Sequence, residues 1–261
     1  MGTRERRQRD IADREQRILD TAEALIQSEG LLNLQMSRLA EACDYAVGTL
    51  YQHFAKKEDL LVALATRTCL SRLDLYERAA SWSGSTRERL LAIALADTLL
   101  QDNSPGMFRL SQFVFTEVIW GAASAQRRAE ALATSAPIEA QVTGIVEDAI
   151  VKGDVPSTLA MAPVEVALGI WTQCLGMHTL IQAEGLLEGY DRSRSYGLLF
   201  KHLNHLLNGY GWRPLMATVD DNAVSEQIAR LCRDVFGETI PFPAARSAAD
   251  DESKPAQATS P

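Results

Sequence analysis

The sequence predicts an all-α chain, and three observations carry that prediction. Apolar residues recur at spacings of three and four, the period of a helix face. No alternating stretch of β-branched residues marks a strand. Helix ends are written in capping residues, glycines and prolines. With 261 residues, 46% of them hydrophobic and 23% charged, the chain is long enough for one small domain and one larger one.

Taken in order, Ile18, Ala22, Leu25, Ile26 and Glu29 form a stripe that ends at Gly30, a residue suited to the left-handed conformation just past a helix. Two short helices are expected over 36–43 and 46–54, separated by Asp44-Tyr45. Glu58-Asp59 then opens a longer helix reaching about residue 80, with acidic residues at the positive end of its dipole. Ser85-Thr86-Arg87-Glu88 reads as a capping box, Ser104-Pro105 as a cap followed by proline at the first helical position, and Ser135-Ala136-Pro137 as another start of that kind. Gly153 and Pro156 stop the helix that runs through Val142, Val146 and Ile150. Further helices are expected over 163–183, 191–207 and 220–236. Beyond Pro241 the chain turns to Pro, Ala, Ser and Asp, a composition that predicts a disordered tail over 241–261.

Composition narrows the function classes. No run of about 18 uncharged apolar residues is present. The Arg-rich residues 1–10 have no apolar stretch behind them, so a signal peptide is not expected and a cytoplasmic location is. Cys43, Cys69, Cys174 and Cys232 are scattered without paired spacing, which predicts reduced thiols rather than a disulfide framework or a zinc site. The formal charge of −8 is unevenly spread: through Lys57 nine Arg/Lys balance nine Asp/Glu, so the rest of the chain carries the whole excess. Arg4, Arg6, Arg7 and Arg9 face only Glu5 and make a basic arm on an acidic body, and attraction to phosphate depends on such local charge. There is no Gly-rich phosphate loop, no nucleophile in a recognised setting and no His-Glu metal motif, so neither an enzyme nor a cofactor is expected.

Function concentrates in residues 39–61, LAEACDYAVGTLYQHFAKKEDLL. Leu39, Leu50 and Phe54 are spaced to pack the two short helices on the first one, and Thr49, Gln52 and His53 share a different face. Gly48 in a helix costs about 1 kcal/mol relative to alanine, so its presence points to a close approach of the backbone there to a partner, for which DNA is the expectation. On Leu39-Ala40, Gly48-Thr49-Leu50-Tyr51, His53-Phe54, Lys57-Glu58 and Leu60-Leu61 this segment closely resembles the DNA-binding domain of the TetR family. The resemblance covers about residues 14–70, with a helix-turn-helix at about 35–54, and implies a homodimer on a palindromic operator. It further implies that Thr49 and Tyr51 touch phosphate or base through their hydroxyls and that Lys57 grips a phosphate. Ser37, Val47, Gly48, Gln52 and His53 are then the candidates for reading sequence. Arg4, Arg6 and Arg7 of the arm, residues 1–13, add backbone contacts. The chain departs from the family pattern at Cys43-Asp44-Tyr45 in the turn, and at Leu34-Gln35, Ala46 and Lys56, where three helix starts lack the usual side-chain acceptor.

Residues 71–240 are expected to form a helical domain for ligand binding and dimerisation. Val164, Leu168, Trp171, Leu175 and His178 make one stripe, and Tyr196, Leu199, Phe200, Leu203, Leu206 and Leu207 a second. Leu199, Phe200, Leu203, Leu206 and Leu207 are the expected dimer interface. Phe108, Phe113, Phe115, Val118, Trp120, Trp171 and Met177, with Gln112, Glu117 or Gln173 as polar anchor, are the candidate pocket for an apolar or aromatic effector; an ordinary aromatic core is the competing reading. Cys174 with His178 and His202 with His205 are i,i+4 and i,i+3 pairs that fall short of a metal site, so no metal is expected. The reading is a ligand-responsive regulator, a repressor released from its operator by an apolar small molecule, with the helix that begins near Lys57 and runs through Leu64 and Leu73 as lever. The alternative is a small-molecule or metal sensor that activates, or that acts without DNA release.

Overall fold

The computed structural model describes residues 3–183 and 195–237. Every regular element among them is helical: α1 (Thr3–Glu29), α2 (Met36–Ala42), α3 (Val47–His53), α4 (Lys57–Ser81), α5 (Thr86–Asn103), α6 (Pro105–Val114), α7 (Glu117–Trp120), α8 (Ala125–Lys152), α9 (Pro163–Gln182), α10 (Ser195–Gly209) and α11 (Asp221–Leu231). A 3-10 turn at Leu31–Asn33 follows α1, and a π-turn at Cys232–Phe236 continues α11. The expected helix start at residue 191 and the tail over 241–261 lie outside the described residues.

The described residues fall into two compact units, 3–80 with 96–144 and 81–95 with 145–183 and 195–237. The first reaches beyond the 14–70 domain expected from sequence, because α6 and α7 add to its core. Ile18, Ala22 and Ile26 of α1 meet Leu39, Leu50, Phe54, Leu60 and Leu64, and Met107, Leu110, Val114 and Ile119 join the same cluster. Leu39, Leu50 and Phe54 are wholly buried, worth roughly 2 kcal/mol each in apolar transfer. Gly30 (φ +87°) ends α1, and Asp44 takes the left-handed conformation (φ +56°) in the turn between α2 and α3. The Tyr45 N–H donates to the Ala40 carbonyl at 2.9 Å and so closes that turn without glycine. Gln35 and Ala46, the residues before α2 and α3, are extended and give no side-chain cap; tertiary packing holds these seven-residue helices, which would be too short to persist alone.

Two elements differ from the sequence expectation. The arm over 1–13 is helical from Thr3 onward, continuous with α1, and its residues 4–14 are exposed. Its Arg, Glu, Gln and Ala are good helix formers, but the segment has no apolar stripe to reveal it. The start predicted at Ser135-Ala136-Pro137 is absent: Pro137 lies inside α8, which already runs from Ala125. The Ala-rich stretch before it carries the helix past a proline that removes one donor from the ladder.

In the second unit the Ser85 capping box forms, with the Ser85 N–H and hydroxyl donating to Glu88 Oε2 at 3.1 and 2.9 Å and the Glu88 N–H donating to Ser85 Oγ at 3.3 Å. Gly153 (φ +75°) ends α8. Trp212 is fully buried and its indole N–H donates to Thr86 Oγ1 at 2.9 Å, while the Thr86 hydroxyl donates to Asp154. The dimer interface expected on α10 is corrected: Leu199, Phe200, Leu203 and Leu207 are at most 1% exposed and form the unit's own core, with only Leu206 partly accessible. The apolar face left exposed is on α9, where Val164, Leu168 and Trp171 are 39%, 47% and 46% exposed. Their three- and four-residue spacing puts them on one side of the helix.

Candidate DNA-binding face and effector region

Burying Leu50 and Phe54 forces the rest of α3 outward. Val47, Gly48, Tyr51 and Gln52 are exposed, with Tyr51 49% accessible, and Ser37 at the start of α2 is exposed as well. Thr49 is half-buried, and its N–H donates to the Ala46 carbonyl at 2.8 Å. A Cβ placed on Gly48 would meet nothing within 4 Å, so no part of the chain itself requires glycine there. Lys57 is half-buried at the first position of α4, and Arg4, Arg6 and Arg7 are exposed along α1.

His53 is corrected. Its side chain is only 7% exposed and Nδ1 lies 3.7 Å from Glu15 Oε2, so the imidazole turns back toward α1 and does not share the outward face with Gln52. One residue that the sequence did not point to organises this corner. Arg127 of α8 pairs with Glu15 at 2.8 Å and Glu130 at 3.0 Å, donates to the His53 carbonyl at 3.2 Å, and lies 5.0 Å from the centre of the Phe54 ring. It thereby ties the end of α3 to α1 and α8. Nearby, the Lys56 ammonium donates to the Ala122 carbonyl at 2.8 Å, and buried Asp59 accepts the Ser124 N–H at 2.7 Å.

The expected aromatic pocket is also corrected. Phe115 and Val118 are 56% and 72% exposed and Glu117 is exposed, so these side chains leave the core where α6 breaks before α7. Trp120 sits beside Phe115 with ring centres 6.0 Å apart, and Phe113 and Trp120 pack on the outside of the core cluster. Gln112 is half-buried. Trp171 and Met177 belong to α9 of the second unit, Trp171 on its exposed face. Phe108 is buried, with the Arg72 guanidinium 5.9 Å from its ring centre.

Arg72 leads to a polar core that periodicity did not mark. It pairs with buried Asp97 at 3.0 Å. Burial is the largest influence on Arg72 and works against its charge, but Asp97, Tyr76 and Cys69 together outweigh it and hold the guanidinium above its ordinary range, while burial pushes the neighbouring Cys69 thiol up. In the same unit, Gln101 Oε1, Gln141 Oε1 and Thr143 Oγ1 are buried without a hydrogen-bond partner. Each such atom costs about 1–3 kcal/mol until something pairs with it. No cluster of metal-ligating side chains occurs among the described residues; Cys174 and His178 are buried, the imidazole 5.9 Å from the Tyr196 ring.

The sequence model of the family described as bacterial regulatory proteins, tetR family, matches residues 18–64, which are the stretch that builds α1, the turn and the outward face of α3. Over that stretch the chain is similar to the DNA-binding region of TetR-family regulators. Among its relatives, the HTH-type transcriptional repressor KstR of Mycolicibacterium smegmatis is 40% identical over 79 residues, covering 30% of this chain and 38% of that one. The likeness therefore spans well under half of KstR. Over more of the chain only the fold is shared. The TetR-family regulator PfmR from Thermus thermophilus covers 73% of this chain and 97% of its own at 16% identity, with a TM-score of 0.55. AibR, solved with isovaleryl coenzyme A and operator DNA, covers 71% and 96% at 22% identity, with a TM-score of 0.51. The signal that marks Asp97 is a lone charge inside an apolar helix, in the run LLAIALADTLL, whereas Arg72 stands among Arg67, Asp74 and Glu77 and has no such mark. Arg127 had no such signal.

Proposed function

We propose that this chain is a homodimeric, ligand-responsive DNA-binding regulator that represses by occupying a palindromic operator. The observation that carries the reading is the outward face of α2 and α3: Ser37, Val47, Gly48, Tyr51 and Gln52 stand exposed around a fully buried Leu50 and Phe54. In a helix-turn-helix such a face enters the major groove, where Gln52 reads a base edge and Tyr51 and Thr49 reach backbone or base. The open space at Gly48 admits the sugar-phosphate backbone. Lys57 and the arginines of α1 supply phosphate contacts that position without specifying. The second copy docks through the α9 face of Val164, Leu168 and Trp171, so that two recognition helices reach successive major grooves about 34 Å apart.

The effector reading moves from the exposed aromatics to the polar core of the first unit. Gln101, Gln141 and Thr143 offer hydrogen bonds that the protein itself does not use, and the same unit holds the buried, apolar Phe108. A molecule that carries both polar and apolar groups would use those unpaired atoms, and the isovaleryl coenzyme A of AibR joins a polar coenzyme to a short apolar acyl chain. Arg72 and Lys57 lie on one helix, about 22 Å apart at 1.5 Å per residue, so a ligand that shifts α4 at Arg72 also shifts the phosphate contact. A mobility-shift titration on DNA selected by the wild type tests the interface. Lys57→Ala should weaken binding to all sequences alike and lower the salt slope by about one. Unchanged affinity and slope would remove Lys57 from the interface.

A further inference from the structure

The second unit carries a cleft that the regulatory reading does not use. An open space of about 620 Å³ lies between the start of α5, the loop after α10 and α11, lined by the charged Arg87, Glu88, Arg230 and Arg233 and by the apolar Pro214, Leu215 and Met216. The cleft is built on fixed elements. Asp220 caps α11 by accepting the Ala223 N–H at 2.8 Å, and the Asn204 amide on α10 donates to Gln227 on α11 at 2.8 Å.

Its charges are unevenly matched. Arg87, Arg230 and Arg233 meet two carboxylates in the lining, Glu88 and the exposed Glu226. Glu88 is already engaged by Arg230 and by the Ser85 N–H and hydroxyl. Arg87 is the unusual member, because it is 2% exposed yet held by neutral oxygens. Its Nη1 donates to the Trp212 carbonyl at 2.8 Å, and its Nη2 to the Asn204 carbonyl and Oδ1 at 2.9 and 3.0 Å. Burial alone pushes its pKa down to about 10, with no carboxylate pulling it back. A cation buried on neutral dipoles gains from any anion that reaches it. Pro214, Leu215 and Met216 add an apolar part to the lining, and Leu215 is 56% exposed.

We propose that this cleft is a ligand site for a small amphipathic anion, whose carboxylate or phosphate head pairs with Arg87 and Arg233 and whose short apolar body lies on Pro214, Leu215 and Met216. Arg87 fixes the head because its guanidinium cannot move without breaking three bonds to the α10 end and the following loop. Arg233, exposed on the π-turn after α11, closes on the head from the other side. The site involves none of the residues assigned to DNA or to the polar core of the first unit, so its test leaves those readings untouched.

Calorimetric titration of the full chain with hexanoate, hexyl phosphate and neutral hexanol decides it. At least one anion should bind with a Kd at or below about 1 mM and one site per chain, and hexanol should not; which anion binds more tightly tells whether the head is a carboxylate or a phosphate. Arg233→Glu should weaken that anion by about tenfold or more, the weight of one charge-assisted hydrogen bond. Met216→Trp, which fills the cleft from its apolar side, should abolish binding. Both positions are at the rim, and melting curves of the variants verify that they fold. Failure of both anions to bind, equal binding of hexanol, or unchanged affinity in both folded variants would overturn the site.

Discussion

Arg127 shows how one side chain sets the geometry of the end of α3, the helix proposed to contact DNA. It carries two carboxylates, the His53 carbonyl and the Phe54 ring, and an alanine there leaves Glu15 and His53 beside each other without a cation. Arg127→Ala should cost about 2 kcal/mol in stability, the range for a charge-assisted contact in a partly buried setting. It should also weaken DNA binding although Arg127 itself is not assigned to DNA. Melting curves and mobility shifts on the same sample check both, and a variant with lower stability but unchanged affinity would limit Arg127 to holding the core. Thr143 makes the opposite case, since its hydroxyl is buried without a partner. Thr143→Val should leave stability unchanged or raise it by up to about 1 kcal/mol, because an unmade hydrogen bond disappears. If the polar core holds the effector, the same variant should lose response to it in an operator-release assay. A full response would move the effector elsewhere.

At the scale of elements, the two long apolar stripes of the second unit exchange their roles relative to the sequence reading. Periodicity shows that a helix has an apolar face but not what covers it. For α10 the cover is the subunit's own core, while α9 leaves Val164, Leu168 and Trp171 open. If two copies pair through this face, Leu168→Glu should give a folded monomer in sedimentation where the wild type is a dimer, with its helical circular dichroism intact. Leu203→Glu places a charge where exposure is 0% and should unfold the second unit, a loss above about 4 kcal/mol. A Leu168→Glu protein that remains dimeric would place the interface on another face. The same limit explains what was legible elsewhere. Gly30, Asp44, the Ser85 box and Gly153 are local signals, and the structure uses each of them. The helical arm and the passage of α8 through Pro137 were not legible, because there helix propensity and a continuous ladder override the local signal. His53 misled because i,i+4 spacing from Thr49 says that two residues are neighbours on a helix, not that both face solvent.

For the whole molecule, the charge pattern and the outward face of α3 point to the same partner. A chain of net charge −8 binds DNA only through locally placed cations, so affinity falls steeply with salt. If two copies act together, the isolated 14–70 segment binds far more weakly than the dimer, since one recognition helix loses the second half-site. If an effector releases the DNA, the two oppose each other by the same factor, because each shifts one equilibrium between two conformations. The most direct measurement of the central claim is selection of binding sites from random duplex DNA by the wild-type chain and by Gln52→Ala. The wild type should enrich a two-fold symmetric sequence with half-sites about one helical turn apart. The variant should lose preference at one symmetric pair of positions, worth about 1–3 kcal/mol each, and keep the spacing. An unsymmetric sequence, no enrichment at all, or an identical preference from Gln52→Ala would contradict recognition through α3.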